Sequence, residues 1–127
     1  MQNSKMIAIS MLLLFCGCCP NSNEKQKQIP LTFEQAVKVA VEYLNQSNYY
    51  INENHVLMNE PDNAFWNAYA SRYPEMLEDY GLMDKDYFAV IFYEKGVRDG
   101  GAVVFVDKDE KRVIGVLYGS RFVKNSL

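Results

Sequence analysis

Residues 87–118 read YFAVIFYEKGVRDGGAVVFVDKDEKRVIGVLY, and their reading decides the fold. Three apolar runs stand in this stretch: Tyr87 to Tyr93, Ala102 to Val106, and Val113 to Tyr118. All are rich in β-branched and aromatic side chains, which pack well on a pleated surface. Short polar segments, Lys95 to Gly101 and Asp107 to Arg112, join them. Connections this short do not reach across a parallel pair, so the runs predict an antiparallel meander. The runs are unbroken rather than alternating. Central strands of that kind are covered on both faces, or by helices on one face and aromatics on the other. Gly100-Gly101 serves the turn, because a phosphate-cradling glycine loop needs a helix after it and here a strand follows.

Upstream, Phe33, Ala36, Val37, Ala40, Val41 and Leu44 recur at helical spacing and form one apolar stripe. Thr32 with Gln35 three positions later is a capping box at its start. Polar residues from Asn45 to Asn48 end it. Residues 49–59 suggest a short strand through Ile51, Val56 and Met58. Phe65, Trp66, Tyr69, Tyr73, Met76, Leu77 and Tyr80 then continue at helical spacing as far as Gly81, a natural C-terminal stop. Pro74 interrupts that pattern and forces a kink or a second short helix. The expected fold is therefore α+β: an N-terminal amphipathic helix and a kinked second helix packed on an antiparallel sheet of three to four strands.

The first residues read as a targeting segment. Lys5 precedes an apolar run, Met6 to Phe15, that is too short to span a bilayer, since a spanning helix needs about 20 apolar residues. The run closes on Phe15-Cys16-Gly17-Cys18-Cys19, and no cysteine follows Cys19. Residues 20–28 (PNSNEKQKQ) are polar and read as a flexible tether. The expected organisation is a signal at 1–18, a tether at 19–29 and one domain at 30–127. That domain has no cysteine for a disulfide or a thiolate metal site.

The small residue Gly17 before Cys18, after an apolar run, resembles the lipobox of bacterial lipoprotein precursors. The resemblance implies lipidation at Cys18, with Cys19 as the neighbouring choice, and contact with the membrane through the lipid anchor alone. The residue after Cys18 is not Asp, which by the same resemblance implies the periplasmic face of the outer membrane.

Charge excludes one class of partner. The chain carries a net charge of −3 without a basic stripe, which argues against nucleic acid. The charge is also uneven. From Glu60 to Asp86 seven acidic residues stand against Arg72 and Lys85. His55 is the only histidine, and no Gly-x-Ser-x-Gly elbow accompanies Ser47, Ser71 or Ser120. The expectation is a protein that is not an enzyme and needs no metal or cofactor.

The order of an N-terminal helix, a helical middle and a terminal meander is carried by Tyr87 to Tyr93, Gly100 to Lys108 and Val113 to Gly119. It resembles small NTF2-like immunity proteins of polymorphic toxin systems. That resemblance implies binding of a cognate toxin and no catalytic residues. Two functions stay open: an envelope-anchored immunity protein or inhibitor, and an accessory envelope lipoprotein that binds cell-wall material or an assembly complex. The aromatic stripe is read first as core. The candidate partner-binding patch is Trp66, Tyr69 and Tyr73 beside Glu75, Glu78 and Asp79, with the Arg98-Asp99 loop as the other candidate face. The sequence does not decide the oligomeric state.

Overall fold

A computed structural model describes residues 29–98 and 100–126. Cys18, the tether up to Gln28 and Asp99 lie outside the described residues. The fold is α+β. Three helices, α1 (Phe33–Gln46), α2 (Ala64–Ala70) and α3 (Glu75–Asp79), accompany five strands: β1 (His55–Leu57), β2 (Tyr87–Glu94), β3 (Gly101–Asp107), β4 (Val113–Tyr118) and β5 (Arg121–Lys124). The strands lie in sequence order, β1-β2-β3-β4-β5, each antiparallel to the next.

The sheet has five strands where three to four were expected. The added strand is β5, which returns from β4 through Gly119 and Ser120, with Tyr118 opposite Arg121. A two-residue turn with glycine at positive φ suits the right-handed twist of a hairpin, and Gly119 has φ +61°. The ambiguous stretch after α1 supplies β1, of only three residues.

Register explains why the central runs do not alternate. Val90, Val104, Val116 and Val123 are cross-strand neighbours in one row, and Ile91, Val103, Leu117 and Phe122 in the next. Neighbouring rows point to opposite faces. The first face packs on α1, whose fully buried Ala36, Ala40 and Leu44 meet Phe88, Val90, Val104 and Val116. Two alanines on the contact stripe let the helix lie close to the sheet. The second face packs on α2 and α3 through Trp66, Ala70, Leu82, Ala89, Ile91, Phe105 and Leu117. Two apolar faces, each with its own cover, need strands that are apolar throughout.

The capping box holds as read: Thr32 Oγ1 accepts from Gln35 N at 3.1 Å, and Gln35 Oε1 from Thr32 N at 3.0 Å. Helix α1 ends in a Schellman turn on Asn48 (φ +64°), with Tyr49 N donating to Leu44 O at 2.9 Å. Helix α3 ends the same way on Gly81 (φ +70°), with Leu82 N donating to Leu77 O at 2.8 Å and Leu82 buried beneath it.

Of the two outcomes expected at Pro74, a kinked helix or a second short helix, the structure has the second: two helices, of seven and five residues. Pro74 has no N–H to give the carbonyl of Ala70, and it disfavours helical backbone at Tyr73. Tyr73 N donates to Ala70 O at 3.0 Å instead, the chain turns, and Pro74 caps the start of α3.

Asn63 fastens α2 to the sheet. Its amide Nδ2 donates to Tyr87 O at 2.9 Å, and its Oδ1 accepts from Ala89 N at 2.8 Å. One side chain thus stands in for a strand on the part of β2 that β1 does not reach. At the other turn, Asp107 is the one buried charged residue among the described residues. Its Oδ1 accepts from the backbone of Asp109 and Glu110 at 2.8 and 2.9 Å, and Lys85 lies 3.9 Å from its Oδ2.

Candidate functional site: an aromatic groove on the sheet

The second face of the sheet is only partly covered. Helix α2 lays Trp66 and Ala70 on the sheet, and beyond them lies a groove of about 440 Å³. Its floor is Ile91, Val103 and Leu117, its α2 wall is Phe65, Trp66 and Tyr69, and its far end is Tyr93, Gly100, Gly101 and Gly119. Gly100, Gly101 and Gly119 line that end of the groove and add no side chain to it. Gly101 lies opposite Tyr93 with φ +109°, and a Cβ there would run into the backbone of Phe92 and Tyr93. Only glycine fits there.

The rim is aromatic and wet. Phe65 is 54% exposed, Tyr69 40% and Tyr73 45%. Their four-residue spacing places them along one side of α2 and its continuation. Tyr93, at the far end of the groove, and Val97, in the β2–β3 loop, are also exposed. The rings are held in place by contact: Tyr69 lies 5.3 Å from Tyr73 and 5.9 Å from Trp66, centroid to centroid.

Trp66 itself is a core residue, 2% exposed. Its ring meets Phe105 edge-on at 4.8 Å, and its Nε1 donates to Tyr87 Oη at 2.9 Å. Burial pushes the Tyr87 hydroxyl above its ordinary pKa, and the bond from Trp66 offsets this in part. Tyr87 therefore keeps its proton and serves as a fixed acceptor. Trp66 contributes a wall to the groove and cannot project from the surface as an anchor, because its polar end is already engaged inside.

The other sequence candidates separate. Tyr69 is on the groove and Tyr73 beside it. Glu75, Glu78 and Asp79 are exposed on α3. Arg98 is exposed in the β2–β3 loop that leads into Gly100, and Asp99 lies outside the described residues. Phe65, Tyr93 and the glycines were not singled out by sequence as site residues. For Phe65 the signal was available in its spacing from Tyr69 and Tyr73. Gly100-Gly101 reads as a turn until the structure places it at the far end of the groove.

His55 does not line the groove, and its ring packs with Tyr49 of the α1-side core. It pairs with Glu94 on the edge strand. Its Nδ1 lies 3.1 Å from both the amide N and the Oδ1 of Asn52, and its Nε2 lies 3.4 Å from Tyr49 Oη. Tyr49 packs with the α1 face. Among the described residues no group of three His, Cys, Asp or Glu could hold a metal ion, and no helix is long and apolar enough to cross a membrane.

Comparison with known proteins yields no relative: no family model, curated protein or solved structure matches the chain.

Proposed function

We propose that this chain is an envelope-tethered binding protein that acts by seating an apolar segment of a protein partner in the groove between α2 and the sheet. The reading extends to neutralisation of a toxin, as an immunity protein or inhibitor, with the domain held at the membrane by lipid on Cys18. The groove carries the proposal. An apolar floor, a rim of half-exposed aromatic rings on a braced helix, and a volume of about 440 Å³ are what a binding surface needs. Rigid tyrosine and phenylalanine rings bury large areas at small entropic cost. Such a patch has a desolvation gain waiting for a partner, whereas isolated exposed apolar residues do not.

The test places a benzophenone amino acid at Phe65 or Tyr69 of the full chain in its host, with Lys38 on the wet side of α1 as the control position. Irradiation should give one discrete adduct from positions 65 and 69 and none from 38. Filling the floor with Val103→Phe should abolish it. If the protein found is a toxin, cells carrying it should survive with the native chain and die with Tyr69→Ala. Equal labelling at all three positions, unaffected by Val103→Phe, would refute the groove as the binding site.

A further inference from the structure

The α1 face of the sheet carries a second hollow, separate from the groove. It opens where α1 ends against the β4–β5 hairpin, holds about 440 Å³, and is walled by Tyr43, Tyr49, Tyr118 and Arg121. Local structure brings these residues together. The Schellman turn after α1 folds Tyr49 back beside Tyr118, with ring centroids 5.4 Å apart. The two-residue hairpin turn sets Arg121 directly opposite Tyr118, on the same face as Val116 and Val123. The guanidinium carbon stands 5.4 Å from the centre of the Tyr118 ring. That contact orients a planar fork of N–H donors without engaging them.

Arg121 has no counterion inside the fold. Among the described residues it joins no ion pair, and its side chain makes no hydrogen bond. No carboxylate among the described residues lines the hollow. Glu94, opposite His55, acts on Tyr49 but is not in the wall. The Tyr118 hydroxyl supplies no anion either. Burial and then Tyr43 raise its pKa, Ser47 and Arg121 offset this only in part, and it keeps its proton. The end of α1 needs no cap from Arg121, because the carbonyls of Tyr43, Leu44 and Asn45 accept from Ser47 N, Tyr49 N and Asn48 N. The negative end of the helix dipole attracts Arg121 but leaves its donors unfilled. The hollow is thus aromatic, with one unpaired positive charge at its edge.

We propose that this hollow binds a carboxylate carried on a ring: Arg121 takes both carboxylate oxygens, and the ring lies against Tyr49 and Tyr118. The guanidinium fork matches a carboxylate through two parallel hydrogen bonds. The tyrosine rings cover a flat partner, and the Tyr43 hydroxyl can meet a polar atom on its edge. An aromatic lining with a few convergent polar groups is the usual make-up of a small-molecule site. Two kinds of ligand share this chemistry: an aromatic acid, and a sugar acid whose C–H face stands in for the aromatic one.

The test titrates the nitrogen-15-labelled full chain, in nonionic detergent at neutral pH, with benzoate and with glucuronate. Each is run beside its uncharged counterpart, benzyl alcohol or glucose. At least one acid should shift the Tyr49 and Tyr118 amides and the Arg121 Nε–H, with affinity about tenfold above its counterpart. A response to benzoate alone assigns an aromatic acid, a response to glucuronate alone a sugar acid, and a response to both a site that reads the carboxylate and any flat ring. Arg121 is exposed, so Arg121→Gln should keep the fold, which the same spectra verify, and should remove the preference for the acid. Tyr69→Ala, on the other face, should change nothing. Equal affinity for acid and counterpart, a preference that survives Arg121→Gln, or no shift at these residues with either acid would overturn the proposal.

Discussion

Replacing Trp66 with alanine tests the core beneath the groove. The ring is 2% exposed, so nearly all of its surface is lost from the interior. Large aromatic-to-alanine changes in a core cost about 3–5 kcal/mol. Part of that is specific. The Nε1 bond to Tyr87 Oη at 2.9 Å contributes about 1 kcal/mol net, and the edge contact with Phe105 at 4.8 Å about 0.5–1.5 kcal/mol. Urea unfolding followed by far-ultraviolet circular dichroism measures the loss without needing tryptophan emission. A domain of this size is stable by about 5–15 kcal/mol, so the variant should remain folded with its midpoint well below that of the native chain. A cycle with Trp66→Phe and Tyr87→Phe isolates the hydrogen bond, with an expected coupling of about 1 kcal/mol. A cost below about 1 kcal/mol for Trp66→Ala, with unchanged denaturant slope, would mean that the ring is not part of the core. Assigning the walls of the groove would then fail with it.

Three further outcomes are expected. Cys18→Ser should release the protein from membrane fractions; if Cys19→Ser does so instead, lipid is attached one residue later, and if neither does, the lipoprotein reading fails. Gly101→Ala forces a side chain into φ +109° against the Phe92 backbone and should destabilise by about 1–3 kcal/mol or more, whereas Gly96→Ala, with open space around it, meets only the positive-φ penalty; equal costs in urea unfolding would contradict the register at Tyr93. Tyr49, Tyr80, Tyr87 and Tyr118 all have pKa values raised above 10.0, with burial the largest cause for each. Their stabilisation is complete below pH 10.0 and declines above it, because the unfolded chain loses these protons first. Stability measured between about pH 9 and 11 should therefore fall, and Tyr87→Phe should make the fall shallower; a flat profile would refute it.

The parts of the fold that were legible in sequence are those fixed by local chemistry. Thr32 and Gln35 announce the start of α1, and the valine-rich runs announce β2, β3 and β4. Pro74 reads in sequence as a kink or the start of a second short helix, and the choice between them depends on where Tyr73 finds a hydrogen-bond partner. β5 was missed because Arg121 and Lys124 dilute a four-residue strand, although Gly119-Ser120 carries the hairpin signal. The site was legible only in part. The aromatic spacing marks α2 as a loaded face, but which rings are buried depends on tertiary contacts. Trp66 goes inward because Tyr87 and Phe105 are waiting there, and Tyr69 stays half-exposed, resting against Trp66 and Tyr73. A missing side chain leaves no mark in a hydrophobic pattern, so the groove could not be read before the register was known.

The neighbour-to-neighbour order of the strands also bears on how the chain reaches its native state. Strands β2 to β5 each pair with the next in sequence, so this meander has low contact order and can close hairpin by hairpin across connections of a few residues, whereas β1 meets β2 only across α2 and α3. Helix α1 is distant in the chain too. It precedes the sheet yet covers Val90, Val104 and Val116, with β1, α2 and α3 lying between it and β2 in sequence. The meander can therefore assemble before its first cover arrives, and for that interval a row of valines lies open. Substitutions at Ala36, Ala40 or Leu44 that slow docking of the helix would lengthen the interval, and aggregation during refolding would rise more steeply than the loss of stability alone accounts for.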